Sequence, residues 1–124
     1  VECPTYDFTT HCRRSQTVHI VPQETILLDG ILVACRADLR ALVDRLVFVA
    51  TDVALRHSRR VYRDQHERGR DLASIKRFWA RAEDTFIEWG ALAEDTADLF
   101  VDGSQDVEEI TRSVLDYLSQ QSDH

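Results

Sequence analysis

Glycine and proline are scarce in this sequence, which has four glycines and two prolines among 124 residues. No internal repeat, low-complexity tract or Pro/Gly-rich linker separates one part of the chain from another. We therefore expect a single domain over residues 1–124, with a modest core drawn from the 44% of residues that are hydrophobic. No apolar run approaches the roughly 20 residues of a membrane helix, and no signal peptide is visible. These absences predict no membrane association.

Cysteine is also rare, and the three cysteines form no C-x-x-C pair. An odd number of cysteines without metal-ligand spacing argues against a disulfide-stabilised scaffold and against a zinc site. We expect reduced thiols and a cytoplasmic protein.

Positive charge is in deficit, with 15 Lys+Arg against 22 Asp+Glu and a net charge of -7. Such a chain is a poor general ligand for nucleic acid or for anionic membranes, so we expect no nucleic-acid partner. Lys76 is the only lysine, yet six arginines fall between Arg56 and Arg70. A preference for arginine codons accounts for the shortage of lysine but not for this clustering. Binding to RNA that weakens steeply with salt concentration would instead support a nucleic-acid-binding function.

The hydrophobic pattern alternates between short strands and amphipathic helices. Strands are expected at residues 16–22, 25–28, 46–50 and 97–103, and the continuous apolar runs at 25–28 and 46–50 are typical of strands buried in a parallel sheet. Helices are expected over about 36–43, between a Thr51 or Asp52 cap and a break at Gly69, over about 72–89, and over 107–118. This alternation predicts an α/β fold with a mostly parallel sheet.

Six segments occur in the order and at the spacing of one known family: PTYDFTTHCR, QTVHIVP, ILLDGIL, LVFVATD, SRRVYRDQHERGRDL and ADLFVDG. The chain resembles the C-terminal part of the uridine kinase (uridine–cytidine kinase) family, and RRVYRDQHERGR is the most specific of the matching blocks. The resemblance implies a parallel-sheet P-loop kinase fold and an enzyme of pyrimidine salvage. Such an enzyme transfers the γ-phosphate of ATP, with Mg²⁺, to the 5′-hydroxyl of uridine or cytidine. It also implies a homo-oligomer.

The resemblance assigns nucleoside binding to Tyr6, Phe8 and His11, in a hairpin region of about residues 1–22. Two aromatic rings can enclose a pyrimidine, and a histidine can hydrogen-bond to its edge or to the sugar. The alternative is that Tyr6 and Phe8 only pack within a hairpin.

The arginines match the lid region of the family, at about residues 56–72. Arg56, Arg60 and Arg63 recur at i, i+4 and i+7 and therefore share a helix face. The resemblance assigns Arg60, Arg63 and Arg68 to phosphates, as catalytic groups that neutralise the charge of phosphoryl transfer, and Arg70 to the nucleoside. The alternative is a solvated face on which Asp64 and Glu67 are i+4 ion-pair partners.

Asp29 follows an apolar run, where the family has a glutamate near the magnesium. A carboxylate at the carboxyl end of a parallel strand lies where such sheets bind ligands, so Asp29 is the candidate metal ligand. The aspartate side chain is one methylene shorter than that of glutamate and reaches less far toward a metal. The alternative interpretation is that Asp29 and Gly30 only form an ordinary Asp-Gly turn.

The chain departs from the family pattern at several positions. Ala50 stands where the family has aspartate, and Phe78 stands where a glutamine touches the sugar, which weakens the expected nucleoside selectivity. The sequence FIEWG has no proline after its glutamate, and ADLFVDG ends without the usual proline.

No G-x-x-x-x-G-K-[ST] motif occurs in these 124 residues. The phosphate-binding loop and the catalytic aspartate of the family belong to an upstream region. We therefore expect the chain to be a fragment that is inactive alone, or one whose central strand comes from a second chain. The competing hypothesis is a non-catalytic relative, a pseudokinase that binds a nucleoside or a protein partner.

Overall fold

A computed structural model describes residues 1–120 as a mixed α/β chain with two small sheets. The elements in chain order are β1 (Glu2–Asp7), β2 (Cys12–His19), α1 (Ala37–Arg40), β3 (Val47–Ala50), α2 (Val53–His66), α3 (Leu72–Thr85), a π-helical turn (Phe86–Gly90), α4 (Leu92–Thr96), β4 (Leu99–Asp102) and α5 (Val107–Gln120). No helix in this part of the chain combines the length and the apolar character needed to cross a membrane.

The first sheet is the antiparallel hairpin β1–β2, which pairs Glu2 with His19 and Asp7 with Cys12. The Asp7 carboxylate accepts hydrogen bonds from the backbone N–H groups of Thr9 (2.8 Å) and Thr10 (3.2 Å), and these bonds hold the turn. The predicted strand at 16–22 is therefore only partly correct, because β2 begins earlier and ends before Pro22. The hydrophobic pattern did not predict β1.

The second sheet is parallel, since β3 and β4 run side by side with Val47 opposite Leu99 and Ala50 opposite Asp102. The prediction of a mostly parallel sheet is therefore correct in part, because the longer pair β1–β2 is antiparallel. Backbone bonds continue beyond the pair, because the Gly103 N–H donates to the Ala50 carbonyl at 2.7 Å. The sheet is small, however, and Val49 is 54% exposed, so the prediction that β3 is a buried strand is wrong.

The predicted strand at residues 25–28 is also wrong. This segment has no helix or strand, and Leu27 is 89% exposed. A strand needs a neighbour to satisfy its N–H and C=O groups, and none of the described residues pairs with this segment. An apolar run by itself does not supply that neighbour.

Capping side chains set the helix starts as the sequence predicts. The Asp52 carboxylate accepts hydrogen bonds from the N–H groups of Ala54 (2.8 Å) and Leu55 (3.3 Å) at the start of α2. Gly69, at φ +59°, breaks the chain after α2 as predicted. Asp71 then caps α3. The helix expected over 72–89 ends at Thr85 and continues as the π-helical turn, whereas α1 is shorter than predicted.

The described part of the chain buries few side chains completely. Ile75 of α3 is fully buried and Val101 of β4 is 6% exposed. The third buried side chain is charged: Asp64, in the last turn of α2, is fully buried. Its surroundings form the candidate site.

Candidate functional site

Asp64 is surrounded by four arginines, which we call the arginine cluster: Arg60, Arg63, Arg68 and Arg70. Its Oδ1 accepts hydrogen bonds from Arg63 Nη2 (3.0 Å) and Arg68 Nη1 (3.1 Å). Its Oδ2 accepts one from Arg70 Nη1 (3.1 Å) and lies 3.6 Å from Arg60 Nε. Four arginines against one carboxylate leave this group of side chains with an excess of positive charge, which attracts anions.

Burial of Asp64 by itself would raise the pKa of its carboxyl group. The hydrogen bond from Arg63 and the positive charges of Arg63, Arg68 and Arg70 act in the opposite direction and prevail, so the pKa lies below its ordinary value. Asp64 is therefore an ionised, fully satisfied carboxylate.

A groove of about 550 Å³ runs along the same face of α2 and is open to solvent. We call it the arginine groove because Arg56, Arg59, Arg60 and Arg63 line it. The opposite wall includes Trp79 of α3, with the Arg60 guanidinium 5.9 Å from its ring centre. A smaller cavity of about 460 Å³ between α1 and α4 has mostly alanine, leucine and threonine walls with Arg40 and Asp95, and it lies away from the cluster.

Arg56 is held differently from the cluster arginines. Its guanidinium donates to both carboxylate oxygens of Glu83, at 2.7 and 3.1 Å, and lies 4.8 Å from the centre of the Phe86 ring. This bidentate ion pair links α2 to α3. The ion-pair interpretation of the arginine face is correct for Asp64, which pairs with Arg60 and Arg68 at a spacing of four residues, but it did not include Glu83 as the partner of Arg56.

The turn of the β1–β2 hairpin reaches the arginine cluster. The Arg68 guanidinium lies 4.1 Å from the centre of the Phe8 ring, and the Tyr6 ring contacts Phe8 edge-on at 5.2 Å. Tyr6 and Phe8 are 46% and 43% exposed, so both rings keep free surface for a ligand.

His11 lies at the end of the same turn with φ +57°, a left-handed conformation that histidine adopts more readily than most residues. Arg70 Nη2 lies 3.4 Å from His11 Nδ1. Because a guanidinium only donates, this contact requires an unprotonated Nδ1 and leaves the Nε2–H of His11 free to donate to another group.

Phe78 of α3 completes this side of the site. Its ring stacks on His11 with centres 5.2 Å apart and planes at 28°, and the Arg70 guanidinium lies 5.3 Å from its centre. From the sequence alone, Phe78 is expected to remove a polar contact with the sugar, and in the structure its ring also packs on His11 and Arg70. From the sequence alone, Asp64 is one ion-pair partner on a solvated helix face, whereas in the structure it is the buried centre of the cluster. The RRVYRD spacing was the one available signal for Asp64, since it places a carboxylate among arginines.

Asp29 is the one predicted site residue that the structure does not join to the others. It is exposed, in a segment without helix or strand, although Ile31 two residues later lines the arginine groove. Among residues 1–120, no group of three or more His, Cys, Asp and Glu side chains could hold a metal ion. A single carboxylate still fits Mg²⁺, which takes many of its ligands from phosphates and water.

Seven of the eight predicted site residues thus lie in one connected region: Tyr6, Phe8, His11, Arg60, Arg63, Arg68 and Arg70. It joins exposed aromatic rings and a histidine on one side to surplus positive charge on the other. Such a region suits a ligand with a flat ring next to an anionic group.

Comparison with known proteins agrees with the resemblance seen in the sequence. The family model described as "Phosphoribulokinase / Uridine kinase family" matches residues 1–109. Over 75 residues, or 60% of this chain, the chain is 49% identical to a uridine kinase of Lactobacillus helveticus and 45% identical to one of Bacillus subtilis. A uridine kinase of Limosilactobacillus reuteri is 47% identical over the same length.

The matched segment covers 34% to 36% of these relatives, so the chain spans about a third of the length of the curated proteins it matches. The family model covers most of the chain, including the hairpin and the arginine cluster. The chain belongs to the phosphoribulokinase/uridine kinase family.

Proposed function

We propose that the full-length protein containing this chain is a uridine–cytidine kinase, which transfers the γ-phosphate of ATP to the 5′-hydroxyl of uridine or cytidine in pyrimidine salvage. The relatives named uridine kinases support this reaction class. In this proposal residues 1–124 are part of one P-loop kinase domain. The hairpin region of about residues 1–22 binds the nucleoside, and the lid-like region of about residues 56–72 meets the phosphates.

The observation that carries the proposal is the contact between Arg70 and His11, which are 59 residues apart in the chain. It brings the hairpin, with its exposed rings, against the arginine cluster. A nucleoside bound at the hairpin would therefore have its reacting end beside groups that neutralise phosphate charge. Kinase chemistry needs this juxtaposition, because its catalysis is mostly positioning and charge stabilisation.

On the nucleoside side, the free faces of Tyr6 and Phe8 are proposed to stack on the pyrimidine. The Nε2–H of His11 is the donor for a base or sugar oxygen, and Arg70 binds the nucleoside beside it. Phe78 keeps the imidazole and the guanidinium in place through the contacts described above.

On the phosphate side, Arg60, Arg63 and Arg68 are proposed as the catalytic arginines. Their planar guanidinium groups neutralise the negative charge that spreads over the phosphoryl oxygens during transfer. This neutralisation lowers the activation barrier of phosphoryl transfer. Asp29 is the proposed protein ligand of Mg²⁺, and the bound ion would supply further charge neutralisation at the phosphates. The arginine groove offers the positive surface along which the triphosphate of ATP lies.

Two further features are proposed for the whole protein. The cysteines at positions 3, 12 and 35 are unpaired, which suits a reducing compartment, and we place the protein in the cytoplasm. The family resemblance supports a homo-oligomer.

A non-catalytic nucleoside-binding protein is the second candidate. The all-carbon ring of Phe78 beside His11 and Arg70 favours it, because it removes a hydrogen-bonding group from the site. Formation of UMP by the full-length protein would exclude this candidate.

The test is to supply the full-length protein with uridine, ATP and MgCl₂ and to measure UMP and ADP. We expect stoichiometric formation of both products, and similar formation of CMP from cytidine. Uridine binding by calorimetry without any product would reject the kinase and leave the non-catalytic protein. The absence of both binding and product would reject both.

A further inference from the structure

We propose that Asp64 is a positioning residue, whose carboxylate holds the arginine cluster in the arrangement that receives phosphate. The proposal rests on the proposed function for its ligand class, a polyphosphate. Asp64 itself is fully buried and would not touch the ligand. It would act only through the arginines that it binds.

The geometry around Asp64 leaves little freedom. An ionised carboxylate has about four acceptor positions, two on each oxygen. Here Oδ1 faces three donors, Arg63 Nε at 3.1 Å, Arg63 Nη2 and Arg68 Nη1. Oδ2 accepts from Arg70 Nη1, and Arg60 Nε lies 3.6 Å from it. With no exposed surface, the carboxylate has no water to exchange for these partners.

The backbone brings the later arginines back to the helix end. The Arg70 N–H donates to the Asp64 carbonyl at 3.0 Å, and Gly69 makes the left-handed turn that this return requires. Arg68 and Arg70, which lie beyond α2, thereby converge on the same carboxylate as Arg60 and Arg63 within α2. A local turn and one buried charge thus gather four guanidinium groups.

Part of the donor capacity of these arginines remains for a ligand. Each guanidinium has five N–H donors, and each spends at most two on Asp64. The Nε atoms of Arg60 and Arg70 are buried. The donors left for a ligand are therefore those of the terminal nitrogens, chiefly on Arg60, Arg63 and Arg68. Arginine has high rotamer entropy, which a ligand must otherwise remove when it binds. Holding the guanidinium groups in place before binding removes that cost in advance.

Charge and positioning make opposite predictions for Asp64→Asn. If Asp64 only diluted the positive charge, its neutralisation would strengthen anion binding. If it positions the arginines, its neutralisation frees them and weakens anion binding even though a negative charge has been removed. The sign of the change therefore separates the two explanations.

The experiment titrates inorganic tripolyphosphate into the full-length protein by calorimetry at constant ionic strength. Asp116→Asn is the matched control, because Asp116 is an exposed aspartate on α5 that lies outside both the arginine cluster and the arginine groove. We expect Asp64→Asn to weaken binding about 10-fold or more, and Asp116→Asn to leave it unchanged. Binding to Asp64→Asn that equals or exceeds wild type would overturn the proposal.

A measurement on the unsubstituted protein covers the case in which Asp64→Asn does not fold. Arginine side-chain ¹⁵N NMR without ligand should show restricted guanidinium rotation for Arg63, Arg68 and Arg70, compared with the exposed Arg112 of α5. Rotation as free as that of Arg112 would overturn the proposal. If tripolyphosphate binds as expected while no UMP is formed, the kinase proposal fails and the positioning role stands.

Discussion

The guanidinium carbon of Arg68 lies 4.1 Å from the centre of the Phe8 ring, while Nη1 of the same side chain donates to Asp64 at 3.1 Å. Arg68 thus contacts the hairpin on one side and the buried carboxylate on the other. A flat, delocalised cation can lie over a ring and still donate within its own plane. Arg68 therefore links the two halves of the candidate site, as Arg70 does through His11 and Asp64.

Arg68→Lys tests this double role because it keeps the charge. An ammonium group is a compact point charge and cannot both lie over Phe8 and reach Asp64. We expect the rate of UMP formation to fall about 10²-fold, the usual scale for loss of one charge-stabilising group. Steady-state kinetics of the full-length protein would measure it, with Arg112→Lys on α5 as the control that stays at the wild-type rate. A wild-type rate in Arg68→Lys would remove Arg68 from the catalytic set.

His11→Asn tests the nucleoside side of the site. Asparagine tolerates the left-handed backbone at this position, so the change removes the ring with little backbone strain. The stack on Phe78 and the contact with Arg70 are lost, and we expect the KM for uridine to rise about 10-fold while the KM for ATP stays within about 2-fold. Equal increases in both constants would contradict a role confined to the nucleoside.

Asp29→Asn tests the proposed metal ligand. The amide keeps the shape of the side chain but removes the charge that attracts Mg²⁺. We expect the MgCl₂ concentration for half-maximal activity to rise several-fold and kcat to fall about 10²-fold. Asp44→Asn, at another exposed aspartate outside the site, should change neither quantity. An unchanged magnesium dependence in Asp29→Asn would assign the metal to other residues of the protein.

The depressed pKa of Asp64 predicts a dependence of stability on acid. Because protonation is harder in the folded protein, the carboxylate contributes fully above the ordinary aspartate pKa of about 3.9 and loses its contribution as the pH falls through the lower folded value. Urea unfolding from about pH 5 to about pH 2 should therefore show a steeper loss of stability for wild type than for Asp64→Asn. Parallel curves for the two proteins would mean that Asp64 does not carry this charge when folded.

Local signals predicted the helices well. Asp52 was one of two predicted caps and does cap α2, and the amphipathic patterns that predict α2, α3 and α5 are confirmed. These features depend on side chains within a few residues of one another, and such interactions are visible in a sequence. The alternation of strands and helices predicted a parallel sheet in general, and only the structure identified β3 and β4 as its pair.

Features that need a distant partner were predicted poorly. The segment 25–28 is apolar enough for a buried strand, yet none of the described residues pairs with it. β1 lacks a clear strand pattern, yet it forms because β2 provides the hydrogen bonds. A strand forms only where a second segment pairs with it, so the hydrophobic pattern of one segment does not predict a strand by itself.

The sequence by itself determined that six arginines would lie within 15 residues and that Arg56, Arg60 and Arg63 would share a helix face, because helix periodicity is local. The resemblance to the family motifs supplied the expected ligands, which are ATP, Mg²⁺ and uridine or cytidine. Only the tertiary structure decided that Asp64 would be fully buried among four arginines and that Arg70 would meet His11. Burial and long-range contacts depend on which surfaces the folded chain brings together, and residue spacing along the chain does not encode them.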